Sequence, residues 1–126
     1  MPHTIRLAGP WQMTADEVAS RVLVPCALPE SAVVLERTFN RPANLGDDTK
    51  LFLRFVACGR LMRVLLDGEA LCEPTAGDLR HDVSGRLSRS PRVRVEVSAG
   101  ETATFQPASL EIVEPWDEWD DDADAA

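Results

Sequence analysis

Residues 51 to 97 form one connected pattern of short alternating runs, and that pattern constrains the fold more than any other feature of the chain. Leu51, Leu53 and Phe55 alternate with Phe52, Arg54 and Val56. The run 62–66 then meets Asp67-Gly68, a dipeptide favoured where a tight hairpin turn requires φ > 0. After His81-Asp82-Val83-Ser84 comes the strictest alternation of all. Val93, Val95 and Val97 share one face, and Arg92, Arg94 and Glu96 the other. A period of two over such lengths is the signature of half-buried strands, one face packed and one wet.

The rest of the chain extends the pattern. Residues 5–7 read as a short strand closed by Gly9-Pro10, and Val33, Leu35, Arg37 and Phe39 alternate with Val34, Glu36 and Thr38. Two further short strands fall at 102–105 and 110–113, separated by Pro107. Thr14 and Glu17 have capping-box spacing, so the sequence predicts one or two helical turns through Val18 and Val22, then a strand over 22–24 that stops at Pro25. Roughly eight strands at this spacing predict an all-β, antiparallel two-sheet sandwich of jelly-roll type. The body is assigned to residues 1–114 and a tail to residues 115–126.

Charge sets the tail apart. The chain of 126 residues carries a net charge of −8. From Glu114 onward there are seven acids and no base, so removing that −7 leaves −1 for everything before it. A near-neutral body with balanced arginines argues against nucleic-acid binding. No run of about 18 apolar residues is present, which argues against a membrane-spanning helix. The N-terminus lacks the apolar core of a signal peptide, and three cysteines are too few for a disulfide framework. These features point to a cytoplasmic protein.

The order of these pieces resembles the N-terminal sugar-binding domain of glycoside hydrolase family 2, the family of β-galactosidases and β-glucuronidases. The matching pieces are Leu7-Ala8-Gly9-Pro10-Trp11, Val24-Pro25, Glu36-Arg37-Thr38-Phe39 and Leu51-Phe52-Leu53-Arg54-Phe55. They continue with Val64-Leu65-Leu66-Asp67-Gly68, Asp82-Val83-Ser84-Gly85-Arg86-Leu87 and Arg92-Val93-Arg94-Val95. The resemblance spans about residues 5–113 and implies a galactose-binding-like jelly roll, here a stand-alone domain. It implies no catalytic residue: the family's catalytic glutamates belong to a separate barrel, and no barrel is encoded here. The segment 98–102 also runs almost directly to the final strands, where the enzymes carry an insert that reaches their active site.

Candidate sites are few. No nucleophile–base–acid set, phosphate loop, cofactor fingerprint or metal-ligand spacing is present, so neither catalysis nor a cofactor is expected. Trp11 reads as a plug for one end of the sandwich, or as a sugar-stacking platform. Asp82 is expected to shape its turn by accepting backbone N–H bonds, beside the structural turn Asp67-Gly68. The distinctive candidates lie in the tail, where Trp116 and Trp119 stand three residues apart among Asp117, Glu118, Asp120, Asp121 and Asp122. Two tryptophans left in water forfeit about 1.5–3 kcal/mol each of burial energy, which favours a docked segment. Arg92 and Arg94 share a face and are the expected receptors for the carboxylates, with Arg54 and Arg63 expected on neighbouring strands. The leading reading is a non-catalytic module with a protein partner, and the alternative is a carbohydrate-binding module.

Overall fold

The computed structural model describes residues 3–7, 9–42 and 48–114. Among these the chain forms twelve strands and no helix. They are β1 (His3–Leu7), β2 (Trp11–Ala15), β3 (Val18–Val22), β4 (Cys26–Leu28), β5 (Val33–Thr38) and β6 (Lys50–Phe55), followed by β7 (Met62–Leu66), β8 (Glu69–Ala70), β9 (Leu79–Asp82), β10 (Arg92–Val97), β11 (Ala103–Phe105) and β12 (Ala108–Val113). Sheet order is β1-β12-β6-β9 in one layer and β3-β2-β5-β10-β7-β8 in the other, with a small β11-β4 ladder beside them. Every strand pairing within them is antiparallel. The expected all-β sandwich is the fold observed.

Alternation explains the layers. Val93, Val95 and Val97 of β10 are buried, and they face Leu51, Leu53 and Phe55 of β6 and Leu110 of β12 across a single core. The β11-β4 ladder adds Phe105 and Leu28 to that core. Trp11 is wholly buried; its Nε1–H donates to the Leu7 carbonyl at 2.7 Å, and its ring meets Phe105 edge-on at 5.4 Å. A buried indole N–H needs such a partner, and here the chain segment just before β2 supplies it.

Two turns fix register. Asp67 (φ 50°) and Gly68 (φ 87°) form the two-residue connection between β7 and β8, as the dipeptide predicts. The Asp67 carboxylate accepts the Arg92 N–H at 2.9 Å and the Ser88 hydroxyl at 3.0 Å, so the turn is also tied to the start of β10.

The second turn corrects the sequence reading. The stretch expected to begin a helix is a hairpin: β2 pairs with β3 from Trp11↔Val22 to Ala15↔Val18, and Asp16 (φ 50°) and Glu17 (φ 66°) form its tip. Both central residues in the left-handed region match the twist of the flanking strands, which short polar side chains such as Asp tolerate. Trp11, Met13 and Ala15 all lie on the packed face, a period-two requirement that a helix cannot meet. The strand expected over 22–24 ends instead at Val22: Leu23 is exposed and Val24 turns into the core. Arg54 and Arg63 are not on neighbouring strands, because β6 and β7 belong to different sheets.

A candidate ligand groove where two strands part

The ladder between β2 and β5 runs from Ala15↔Val33 to Gln12↔Glu36 and stops there. The next residues on the two strands, Trp11 and Arg37, are no longer paired with each other. The gap between the parting strands is a groove of about 670 Å3, whose lining includes Trp11, Ser20, Arg21, Glu36, Arg37 and Arg92. A second concavity of about 420 Å3, lined by Ile5, Phe39, Ser90 and Leu110 among others, shares Arg37 and Thr38 with the first.

The groove is cationic. Arg21, Arg37 and Arg92 line it, against one acid, Glu36. Glu36 is already engaged: Arg92, within the groove, approaches it at 3.9 Å, and Arg94, outside the lining, at 3.3 Å. Arg94 also meets Glu96 at 3.2 Å, and Glu96 meets Arg63 at 3.6 Å. The outer face of the six-stranded sheet thus carries a chain of half-exposed ion pairs, of the kind worth about 0–1 kcal/mol each. Arg92 and Arg94, the expected carboxylate receptors, are members of this chain.

Arg37 differs. It shares the core-facing side of β5 with Val33 and Leu35, and its Nη1 atom is buried with no hydrogen-bond partner among the described residues. Sequence reasoning did not single it out as a site. The available signal was an arginine in the apolar register Val33, Leu35, Arg37, Phe39.

Arg60 was missed as well, and it has the opposite environment. It is only 5% exposed, and its guanidinium donates to the carbonyls of Ser98 (2.6 Å), Pro29 (2.6 Å) and Ser31 (2.7 Å). Three loops are tied together by one side chain whose donors are satisfied by backbone.

The other candidates sit apart from the groove. Asp82 Oδ1 accepts the Ser84 N–H at 2.8 Å, and Ser84 Oγ in turn accepts the Leu51 N–H at 2.8 Å. Hydrogen bonds from the Ser84 hydroxyl and then its backbone N–H hold the Asp82 carboxyl below the usual range. Cys26, Cys58 and Cys72 are free and half-buried, and burial pushes the Cys26 thiol up. Trp116, Trp119, Asp120, Asp121 and Asp122 lie outside the described residues. No helix among the described residues is long and apolar enough to cross a membrane.

The backbone invites comparison with solved structures. An FMN-binding β-glucuronidase from Faecalibacterium prausnitzii L2-6 superposes with a TM-score of 0.76 over 90% of this chain, at 16% identity. The fold is that of the glycoside hydrolase family 2 N-terminal domain. A β-D-glucuronidase from Dictyoglomus thermophilum (TM-score 0.73, 12% identity) and a protein described as a β-galactosidase from Bacteroides fragilis (0.72, 14%) match over the same 90%. At these identities the likeness shows the fold alone, the one that the sequence resemblance implied. The chain spans 23% of the first enzyme, 28% of the Dictyoglomus one and 23% of the Bacteroides one. No protein-family model matches the sequence, and no curated protein matches it.

Proposed function

We propose that this protein is a non-catalytic binding module whose ligand is an acidic polypeptide segment. The observation that carries the reading is the chemistry of the groove: three arginines against one glutamate, which pairs with one of them, Arg92, and with Arg94, so that Arg21 and Arg37 exceed the acid present where β2 and β5 part. Acidic segments suit such a site because guanidinium groups recognise carboxylates through a planar fork of donors. The tail, with Trp116 and Trp119 among its acids, is the second contact element of the reading. A cytoplasmic setting suits three free thiols.

The carbohydrate reading is favoured by one specific observation, the family-2 domain fold. The aromatic side chains speak against it. Sugar C–H faces stack on open rings, yet Trp11, Phe55 and Phe105 are buried and the Phe52 ring lies beneath the Arg80 guanidinium at 3.7 Å, which leaves the half-buried Phe39 of the second concavity as the remaining ring among the described residues.

The test is capture of polypeptide partners by the intact protein and by the variant Trp116→Ala/Trp119→Ala, alongside a screen against immobilised glycans. The reading expects a partner that binds the intact protein, is lost with the variant and is eluted by salt. Glycan binding that survives the tail substitutions, with no polypeptide captured, would replace it with the carbohydrate reading.

A further inference from the structure

We infer that the Arg37 guanidinium is the carboxylate receptor of the groove, and that its resident occupant is the acidic segment at the end of this same chain, residues 115–126. The inference rests on the binding-module reading and deepens it, because it names the acidic segment that the groove holds and the side chain that receives it.

Four observations converge on Arg37. First, a buried N–H group without a hydrogen-bond partner is costly, and Nη1 of the half-buried Arg37 is such a group among the described residues. Second, the one acid of the lining does not resolve this, since Glu36 pairs with Arg92 and Arg94. Third, both concavities include Arg37 and Thr38, so the half-buried Arg37 side chain borders each of them. Fourth, the residue is arginine, whose fork matches a carboxylate with two parallel bonds where a lysine offers a point charge.

The occupant follows from connectivity and charge. Leu110 lines the second concavity and lies on β12, four residues before Glu114. Strand rise makes that separation about 13 Å. Glu114 is anchored, its Oε2 accepting the Thr49 hydroxyl at 2.8 Å. The twelve residues that follow reach at most about 40 Å when extended, ample to return to Arg37. They hold six acids, two tryptophans and no base. A tethered segment of this length meets the groove at an effective concentration on the order of millimolar, which a free acidic ligand rarely matches.

The test uses the full chain, 15N-labelled, and reads the Arg37 guanidinium N–H signals, assigned by their loss in Arg37→Lys. The comparison is with a tail variant in which Asp117, Asp120, Asp121, Asp122 and Asp124 become Asn and Glu118 becomes Gln. The inference expects the Arg37 signals to shift and exchange faster with solvent in the variant, and added sodium acetate to restore part of the shift. Signals identical in the two proteins would overturn the occupant. If acetate and sodium glucuronate both fail to move Arg37 in the neutralised variant, the receptor assignment falls as well. Glucuronate displacing the native tail where equal acetate does not would reassign the site to a sugar acid. A shift that disappears on dilution would place the tail of a second copy there instead. A partner lost with Trp116→Ala/Trp119→Ala while Arg37 stays unmoved would sink this inference and leave the binding-module reading standing.

Discussion

Two arginines with buried guanidinium atoms should respond in opposite ways to the same substitution. Arg60 gives three hydrogen bonds of 2.6–2.7 Å to three backbone carbonyls, and it is almost fully buried. Arg60→Met removes the donors and leaves those acceptors short of partners. Each lost charge-assisted bond is worth about 1.5–3 kcal/mol, and the three share one side chain, so they do not add in full. A loss of about 3–5 kcal/mol is expected, the range for breaking a buried charged network. Arg37 instead buries an Nη1 with no partner among the described residues. Arg37→Met removes an uncompensated polar group and keeps the volume, so stability should stay within about 1 kcal/mol of the native value or rise. The assay is urea unfolding of both variants in about 0.5 M salt, where the tail's charges are screened. Midpoints should separate while the slopes agree. Because typical domains have only about 5–15 kcal/mol in total, Arg60→Lys serves as a second, milder variant that should lose less than Arg60→Met. Equal losses for Arg37→Met and Arg60→Met would mean that Arg37 is a structural clamp like Arg60, and the groove argument would fail.

Other consequences are quicker to check. Asp82→Ala should lower stability by about 0.5–2 kcal/mol, the range for a lost capping-type bond, read from the same urea curves. Its carboxyl is held below the ordinary range in the folded chain, so the stabilisation from Asp82 is present above the unfolded value and is lost as pH falls through the depressed folded one. An acid titration should therefore find the native protein losing stability faster than Asp82→Ala below about pH 4. Gly68→Ala should cost about 1–2 kcal/mol, because φ is 87° there and an L side chain is strained in that region even in open space. Chromogenic β-glucuronides and β-galactosides should not be hydrolysed; turnover that co-purifies and scales with protein would contradict the non-catalytic reading.

The sequence made the layers legible and the site much less so. Strict alternation over 51–55 and 92–97 placed the core face correctly, because burial on one side of a strand forces period two. Asp67-Gly68 announced its turn for the same kind of reason, φ > 0 at both positions. Thr14-Ala15-Asp16-Glu17 misled because a capping box and a two-residue hairpin tip draw on the same short polar residues. Only the packing of Trp11, Met13 and Ala15 on one face decides between them. Arg92 and Arg94 were correctly placed on one face, but their neighbours Glu36 and Glu96 are brought alongside by strand pairing, which one strand's pattern does not carry. Arg37 and Arg60 look like any surface arginine in a list of residues. Their roles arise from where β2 and β5 diverge and from which loops converge near Ser98, both properties of the assembled sheets.

The central claim is that the groove beside Arg37 holds an acidic polypeptide segment, and collisional quenching of tail tryptophan fluorescence tests it most directly. Trp11 is wholly buried, so acrylamide quenching is dominated by Trp116 and Trp119, and subtracting the Trp116→Ala/Trp119→Ala protein isolates them. At low salt the account predicts that the tail tryptophans of the native protein are shielded relative to a free peptide of residues 115–126. It also predicts that Arg37→Met or high salt raises their quenching to the free-peptide level. Equal quenching in native protein, Arg37→Met and free peptide would contradict it.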